Sequence, residues 1–131
     1  MNYDPMKPIW LQVATRLKRQ IATGTLAPGA KLPGGRELAA QYGINPNTAA
    51  RIYQELEREG VCATSRGLGT FVTEDERAVQ SLRREMAHDA LEQFLEELSG
   101  LGMTVGDAID LIKREESNND HMQTTDEEVR Q

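Results

Sequence analysis

The stretch YGINPNTAARIYQELEREG, residues 42–60, decides the fold of this chain. Its apolar residues recur at three- and four-residue steps and form one stripe along a helix, namely Ala49, Ile52, Tyr53 and Leu56. Asn45 is a favoured N-cap, Pro46 suits the first helical position, and Gly60 ends the helix. The sequence therefore predicts an amphipathic helix that buries one stripe and has an unusually polar first turn.

Two further helices are predicted before this stretch. Residues 8–23 read as a helix that Gly24 ends, because apolar residues recur there every four positions, at Ile9, Val13, Leu17 and Ile21. A connector with two Pro-Gly pairs follows, and then a short helix over residues 35–42, closed by Gly43. The short helix and the one after Asn45 are joined by a glycine-containing turn, which is the helix-turn-helix arrangement.

Two β-prone runs come next, VCATSR at 61–66 and GTFV at 69–72, and a turn at Gly67 separates them. This pattern predicts a small hairpin, or wing. The predicted fold class is therefore mainly α with a small β-hairpin. Residues 8–73 form an N-terminal winged helix-turn-helix domain, and a two-helix C-terminal segment follows it.

Residues 74–116 are predicted to form those two helices. Thr73 and Glu76 have the spacing of a capping box at the start of a helix of about 25 residues. Thr104 and Asp107 suggest another cap, at the start of a second, short helix that runs to the end of this segment. The tail, residues 117–131, has almost nothing to bury and is predicted to be disordered.

The long predicted helix carries a leucine-rich seam that would leave a large apolar patch exposed on a monomer. A two-fold homodimer that packs these helices across its axis is the simplest way to cover the patch. The residues predicted for the dimer interface are Leu82, Met86, Leu91, Phe94, Leu95 and Leu98. The alternative is that the seam packs back on the winged domain of its own chain.

The outward face of the helix after Asn45 carries amide and guanidinium groups, at Asn47, Arg51, Gln54 and Arg58. Asn and Gln pair bidentately with adenine, and Arg pairs with guanine. A helix-turn-helix inserts the N-terminal part of its second helix into the major groove. We therefore predict sequence-specific binding of double-stranded DNA. The competing interpretation is a winged-helix module in which this face meets a protein partner.

The net charge of −6 would argue against a nucleic-acid partner if it were spread evenly along the chain, but it is not. Residues 1–73 contain nine Lys and Arg against five Asp and Glu, or +4. Residues 74–131 contain six against sixteen, or −10. This asymmetry indicates a basic binding module joined to an acidic body. Arg66, beside the wing turn, is a predicted phosphate contact.

The remaining features indicate no enzyme, metal site or cofactor. No nucleophile, base and orienting group can be assembled, and RGLGTF lacks the lysine of a phosphate-binding loop. His88 and His121 stand apart from any metal-ligand cluster. The single cysteine, Cys62, cannot form an internal disulfide and fits a reducing cytoplasm. No apolar run long enough for a membrane span and no secretory signal occur, so a cytoplasmic location is expected.

The run IATGTLAPGAKLPGGRELAAQYGINPNTAARIYQELEREGV, followed by RGLGTFV, resembles the GntR family of bacterial transcription regulators. Its NPNT and YQELEREG portions, with the short acidic C-terminus, resemble the YtrA-like subfamily. The resemblance covers residues 8–72 and implies a dimeric repressor that binds a DNA operator. By position, it implies DNA contacts for Arg36, Asn45, Asn47, Thr48 and Gly67.

Two positions depart from the family pattern. Gly34 stands where a serine is usual, which removes the side-chain half of a capping box with Glu37. Ala50 stands where many members have an arginine, and the arginine comes one residue later as Arg51. The role of the missing arginine cannot be transferred, so Arg51 is assigned a base or phosphate contact from its place on the outward face. The operator is expected to be an inverted repeat, and the existence and identity of any small-molecule effector stay open.

Overall fold

The computed structural model describes the backbone of residues 2–130 and the side chains of residues 2–120. Five helices and one antiparallel hairpin are found there, in the order α1 Ile9–Ala22, α2 Gly35–Tyr42, α3 Pro46–Arg58, β1 Cys62–Ser65, β2 Gly69–Val72, α4 Glu76–Gly100 and α5 Val105–Arg130. The fold is mainly helical with a winged helix-turn-helix at its N-terminal end, so the predicted fold class is confirmed.

The core of the winged domain lies between α1, α2 and α3. Its largest fully buried side chains come from all three helices, namely Val13, Ile21, Leu38, Ile52 and Leu56. The stripe predicted on α3 is buried as expected, because Ala49 and Tyr53 are also covered. The Tyr53 hydroxyl donates a hydrogen bond to the Pro33 carbonyl, so this buried phenol has a partner. Burial raises the pKa of Tyr53 well above its ordinary value.

The hairpin pairs Cys62 with Val72 and Ser65 with Gly69, and its turn is closed by the Leu68 N–H, which donates to the Ser65 carbonyl. The segment before α2 extends this sheet. The N–H of Leu32 donates to the Thr70 carbonyl at 2.8 Å, and the N–H of Val72 donates to the Ala30 carbonyl at 2.9 Å. The wing is therefore fastened to the connector between α1 and α2 by backbone hydrogen bonds.

The chain divides into two compact units, Met1–Met86 and Ala87–Gln131. This division comes later than the boundary after residue 73 that the sequence suggested, because the first turns of α4 complete the core of the first unit. Val79 and Leu82 are buried in that core, and Met86 packs against it. Hydrophobic periodicity alone could not show this, since it marks an apolar stripe without saying which core the stripe joins. The separate dimerisation segment over 74–116 stays a prediction.

The N-cap of α4 is Asp75, and the capping box predicted for Thr73 and Glu76 is wrong. The Asp75 carboxylate accepts from the Arg77 N–H at 3.0 Å, and its carbonyl accepts from Ala78 and Val79. Thr73 instead accepts from the N–H of Asp75. Thr73 and Asp75 both have side-chain oxygens that can cap a helix, and in the structure it is Asp75 that caps α4.

In the second unit, α5 begins with reciprocal hydrogen bonds. Thr104 N–H donates to the Asp107 carboxylate at 2.8 Å, and Asp107 N–H donates to the Thr104 hydroxyl at 3.2 Å, which confirms the predicted cap. The helix runs to Arg130, past the end expected near residue 116. No glycine or proline follows residue 116 to stop it. The side chains of 121–130 and all of residue 131 lie outside the described residues, so the disorder predicted for 117–131 stays a prediction.

Gly34→Ser is expected to stabilise the fold. Gly34 is the N-cap of α2 and supplies no side-chain hydrogen bond, and a β-carbon there would meet no atom within 4 Å. A serine hydroxyl completes the capping box with Glu37, so the free energy of unfolding should rise by about 0.5 kcal/mol in urea denaturation. Gly34→Ala is the control, since it adds the carbon without the oxygen and should lower stability. An alanine variant as stable as the serine variant would contradict the capping argument.

Candidate nucleic-acid interface

The tip of α3 is organised by Asn45. Its backbone is extended, and its side-chain oxygen accepts a hydrogen bond from the Asn47 N–H at 2.8 Å. Pro46 occupies the first helical position, so its missing N–H costs nothing. Asn45 and Asn47 are both exposed, and Thr48 beside them is half-buried. Asn45 therefore holds the first turn with its oxygen and leaves its amide N–H groups, together with the whole Asn47 side chain, at the surface.

The outward face predicted for α3 is exposed along its length, at Asn47, Arg51, Gln54 and Arg58. Its two arginines have different surroundings. Arg58 lies 2.7 Å from the Glu55 carboxylate, and this hydrogen bond lowers the pKa of Glu55. Arg51 stacks on Trp10, with its guanidinium carbon 4.4 Å from the centre of the indole ring. The C-terminal arginine is thus paired with an acid, whereas the one near the tip is not.

The other residues predicted to contact DNA lie on α2 and the wing. Arg36 is exposed in the first turn of α2, and Arg66 and Gly67 are exposed in the hairpin turn. Gly67 has a φ of 81°, and a β-carbon there would meet no atom within 4 Å. Within the protein, then, glycine is needed at this position for its backbone conformation. The close approach of Gly67 to DNA stays a prediction.

Lys31 is placed beside the wing by a contact that the sequence pattern did not reveal. Lys31 and Phe71 form an isolated antiparallel bridge. The Lys31 side chain then crosses Gly69, where a β-carbon would lie 2.9 Å from Cε of the lysine. Gly69 leaves room for this stem, which carries the ammonium group along the base of the wing. The second glycine of the RGLGTF motif was the one available signal, because glycine in a strand often marks a close approach.

Trp10 is the second residue whose role the sequence did not show. Trp10 lies in the first turn of α1, directly after Ile9 of the periodic stripe, and it is half-buried and packed against the core. The ring also supports Arg51 of α3. No periodic pattern encodes this pair, since its members lie on different helices separated by α2.

The apolar residues predicted for a dimer interface do not form one exposed set. Leu82 is buried in the first unit with 5% of its surface exposed, and Leu98 is buried in the second with 9% exposed, so each offers little surface to a second chain. Met86 is partly buried in the first unit, and Phe94 and Leu95 are half-buried. Leu91 is 47% exposed. The larger exposed apolar residues of the second unit also include four that the prediction left out, Leu101, Val105, Ile109 and Ile112.

The described residues contain no group of three His, Cys, Asp or Glu side chains that could hold a metal ion. Burial raises the pKa of the Cys62 thiol to about 11, which keeps it protonated and unreactive near neutral pH. None of the described helices is long and apolar enough to span a bilayer.

Gly69→Ala is expected to weaken the base of the wing. The φ of Gly69 is 122°, a conformation that other residues rarely adopt, and an added β-carbon also pushes Lys31 aside. We expect the free energy of unfolding to fall by about 1–2 kcal/mol, as measured by urea denaturation. The control is Gly35→Ala, because Gly35 lies in the first turn of α2, where a β-carbon meets no atom within 4 Å. Equal effects at the two glycines would contradict this account of Gly69.

Comparison with known proteins identifies similar sequences. The family model described as "Bacterial regulatory proteins, gntR family" matches residues 10–72. The HTH-type regulator YhcF of Bacillus subtilis is 39% identical over 112 residues, which cover 86% of this chain and 93% of YhcF. The HTH-type transcriptional repressor YtrA of the same organism is 43% identical over 77 residues, which cover 57% of this chain and 59% of YtrA.

Solved structures are similar as well. A GntR family transcriptional regulator from Listeria monocytogenes has a TM-score of 0.78 and 38% identity, covering 86% of this chain and 98% of that one. The DNA-binding domain of AraR in complex with operator ORX1 has a TM-score of 0.52 and 28% identity, covering 56% of this chain and 93% of that one. The first similarity extends through most of both chains, and the second is confined to about half of this one.

Proposed function

The chain belongs to the GntR family of bacterial regulatory proteins and is a DNA-binding transcription regulator, and from this premise we propose that it is a dimeric repressor. It binds an inverted-repeat operator through α3, with α2 and the wing on the flanking backbone. The observation that carries this proposal is the outward face of α3, where amides and a guanidinium group near the helix tip are exposed and free of carboxylates in the first two turns.

Asn47 and Arg51 are the residues proposed to read bases. Both are exposed on the half of α3 that a helix-turn-helix inserts into the major groove. Asn47 matches the donor and acceptor pattern of adenine, and Arg51 matches that of guanine. Asn45 supports them by capping the helix, and Gln54 follows on the same face one turn further on. Arg58 contributes less to base reading, because Glu55 already holds its guanidinium group.

Arg36, Arg66 and Lys31 are proposed to contact phosphates. Arg36 lies in the first turn of α2, and the other two flank the wing. The three belong to the segment with a charge of +4, so they attract the duplex whatever its sequence. Thr48 and the backbone at Gly67 complete the proposed DNA-contacting set. Phosphate contacts fix the register in which α3 meets the bases.

A second copy of this chain is the proposed cover for the apolar surface of the second unit. Leu91 on α4 is 47% exposed, and Ile109 and Ile112 on α5 are 46% and 51% exposed. Ile112 also lines an open groove of about 720 Å³, together with the apolar side chains of Phe94 and Leu111. Two-fold pairing across this surface presents two copies of α3 to one duplex, about 34 Å or a multiple of that apart.

The repressor role is supported by similarity to YtrA, which is named a transcriptional repressor. An effector molecule is not required by this proposal, and repression is expected to follow from occupancy of the operator.

DNA reading is tested by selecting bound duplexes from a random pool and measuring affinity for the selected and a scrambled duplex. Asn47→Ala should raise Kd for the selected duplex about tenfold and leave the scrambled duplex nearly unaffected. Arg66→Ala should weaken both duplexes alike and make the salt dependence shallower by about 0.9. A wild-type protein with neither sequence preference nor salt-dependent binding would favour the module that binds a protein partner.

Dimerisation is tested with Ile109→Glu, which puts a charge into the proposed interface. Sedimentation should show that this variant is monomeric, and its affinity should fall for the full inverted repeat and persist for an isolated half-site. Arg114→Glu is the matched control, because it adds an acid to another side of α5, where the side chain is already exposed. A wild-type protein that is monomeric would contradict this part of the proposal, and so would Ile109→Glu and Arg114→Glu variants that dimerise equally well.

A further inference from the structure

The contact between Trp10 of α1 and Arg51 of α3 has a geometry suited to DNA recognition. The guanidinium carbon lies 4.4 Å from the centre of the indole ring, so the cation rests on the face of the ring. We propose that Trp10 is a positioning residue for the operator, which holds Arg51 in place for its contact with a base. This inference rests on the proposed function, since it concerns the same face of α3.

Stacking leaves the hydrogen-bonding edge of Arg51 available. A guanidinium group carries five N–H donors in its plane, and contact through its face uses none of them. Among the side chains that the structure describes, Arg51 has no hydrogen bond or ion pair. The nearest acid along α3 is Glu55, one turn away, and its carboxylate is bound at 2.7 Å by Arg58. All the N–H donors of the Arg51 guanidinium group are therefore available to bind the duplex.

The indole ring is itself fixed. Trp10 is half-buried and packs against the core of the first unit. A second contact joins the same two helices, since Lys18 Nζ lies 2.7 Å from Glu59 Oε2. The two contacts are eight residues apart, from Trp10 to Lys18 on α1 and from Arg51 to Glu59, the C-cap residue of α3. Helix α1 therefore lies beside α3 over this length. The ring thus belongs to the rigid frame that supports the recognition helix.

Holding Arg51 in advance has a physical consequence for binding. An exposed arginine loses rotamer freedom when it pairs with a base, and this loss reduces affinity. A ring that already restricts the side chain removes part of the loss before the duplex arrives. The stabilisation applies only where Arg51 contacts a base, so Trp10 should affect preference among sequences more than general affinity for DNA.

The test measures Kd for the selected and the scrambled duplex with Trp10→Leu, Arg51→Ala and the double variant. Trp10→Leu should weaken binding to the selected duplex about three- to tenfold, and leave the scrambled duplex nearly unchanged. Because Trp10 acts through Arg51, the double variant should bind as Arg51→Ala does. Full additivity of the two losses would overturn the inference, as would a Trp10→Leu variant with unchanged preference.

Lys18→Gln is the matched control. It breaks the ion pair between Lys18 and Glu59, which lies at the C-terminal end of α3, far from the tip of the recognition helix. If the tryptophan merely supports the fold, Lys18→Gln and Trp10→Leu should affect the two duplexes in the same way. The inference expects the preference for the selected duplex to fall only in Trp10→Leu, with helical content checked by circular dichroism in each variant.

A second measurement uses a variant that retains Trp10, so it does not depend on whether the protein folds without this residue. Trp10 is the single tryptophan of the chain, so tryptophan fluorescence reports on the surroundings of this one ring. Arg51→Ala uncovers one face of the ring and should increase quenching by acrylamide in the free protein. Quenching that is identical in wild type and Arg51→Ala would overturn the inference, even if Trp10→Leu does not fold.

The experiments distinguish failure of the proposed base reading from failure of the proposed role of Trp10. If the wild-type protein selects no sequence from the random pool, the proposed base reading fails and the quenching result describes only the free protein. If the wild type does select a sequence and Arg51→Ala reduces that preference while Trp10→Leu does not, base reading stands and the role of Trp10 is overturned.

Discussion

The burial of one stripe of α3 against α1 and α2 is the constraint on which the rest of the molecule depends. Ala49, Ile52 and Leu56 have no exposed surface, and α3 packs against α1, α2 and β1. Successive helical residues are turned by about 100°, so fixing this stripe inward turns Asn47 and Arg51 outward. The buried stripe and the DNA-binding face are therefore opposite sides of one helix. Any rotation of α3 that changed one of them would change the other as well.

The groups around this face are held by interactions of unlike strength. Backbone hydrogen bonds join residues 30–32 to β2, so the wing keeps a defined place beside α2. Asn45 holds the tip through a single side-chain bond, and Trp10 holds Arg51 through the face of a ring. The backbone around this face is thus held by several hydrogen bonds, whereas the tip of α3 and the Arg51 side chain are each held by one contact.

α4 shows how one regular element serves two structural roles. Its first turns bury Val79 and Leu82 in the core of the first unit, and further along Leu98 is buried in the second. The periodic seam is continuous in sequence, so it predicts the helix well. The spacing of apolar residues does not show which of them are buried inside their own unit and which are exposed at its surface, because buried and exposed residues of the seam have the same spacing. The exposed residues of α5 were missed because the predicted interface was taken from the seam of α4 alone.

Local chemistry in the sequence determined the order of the elements, the bounds of α2, the Asn45 cap of α3, the hairpin and the Thr104–Asp107 cap of α5, because each depends on residues close together in the chain. It also determined which face of α3 is polar. Only the tertiary structure decided that Asp75 caps α4, that Lys31 crosses Gly69, that Leu82 is covered, and that Trp10 supports Arg51. These contacts depend on how separate elements pack, and a side chain that is free in its own helix meets its partner only once the core has brought the helices together.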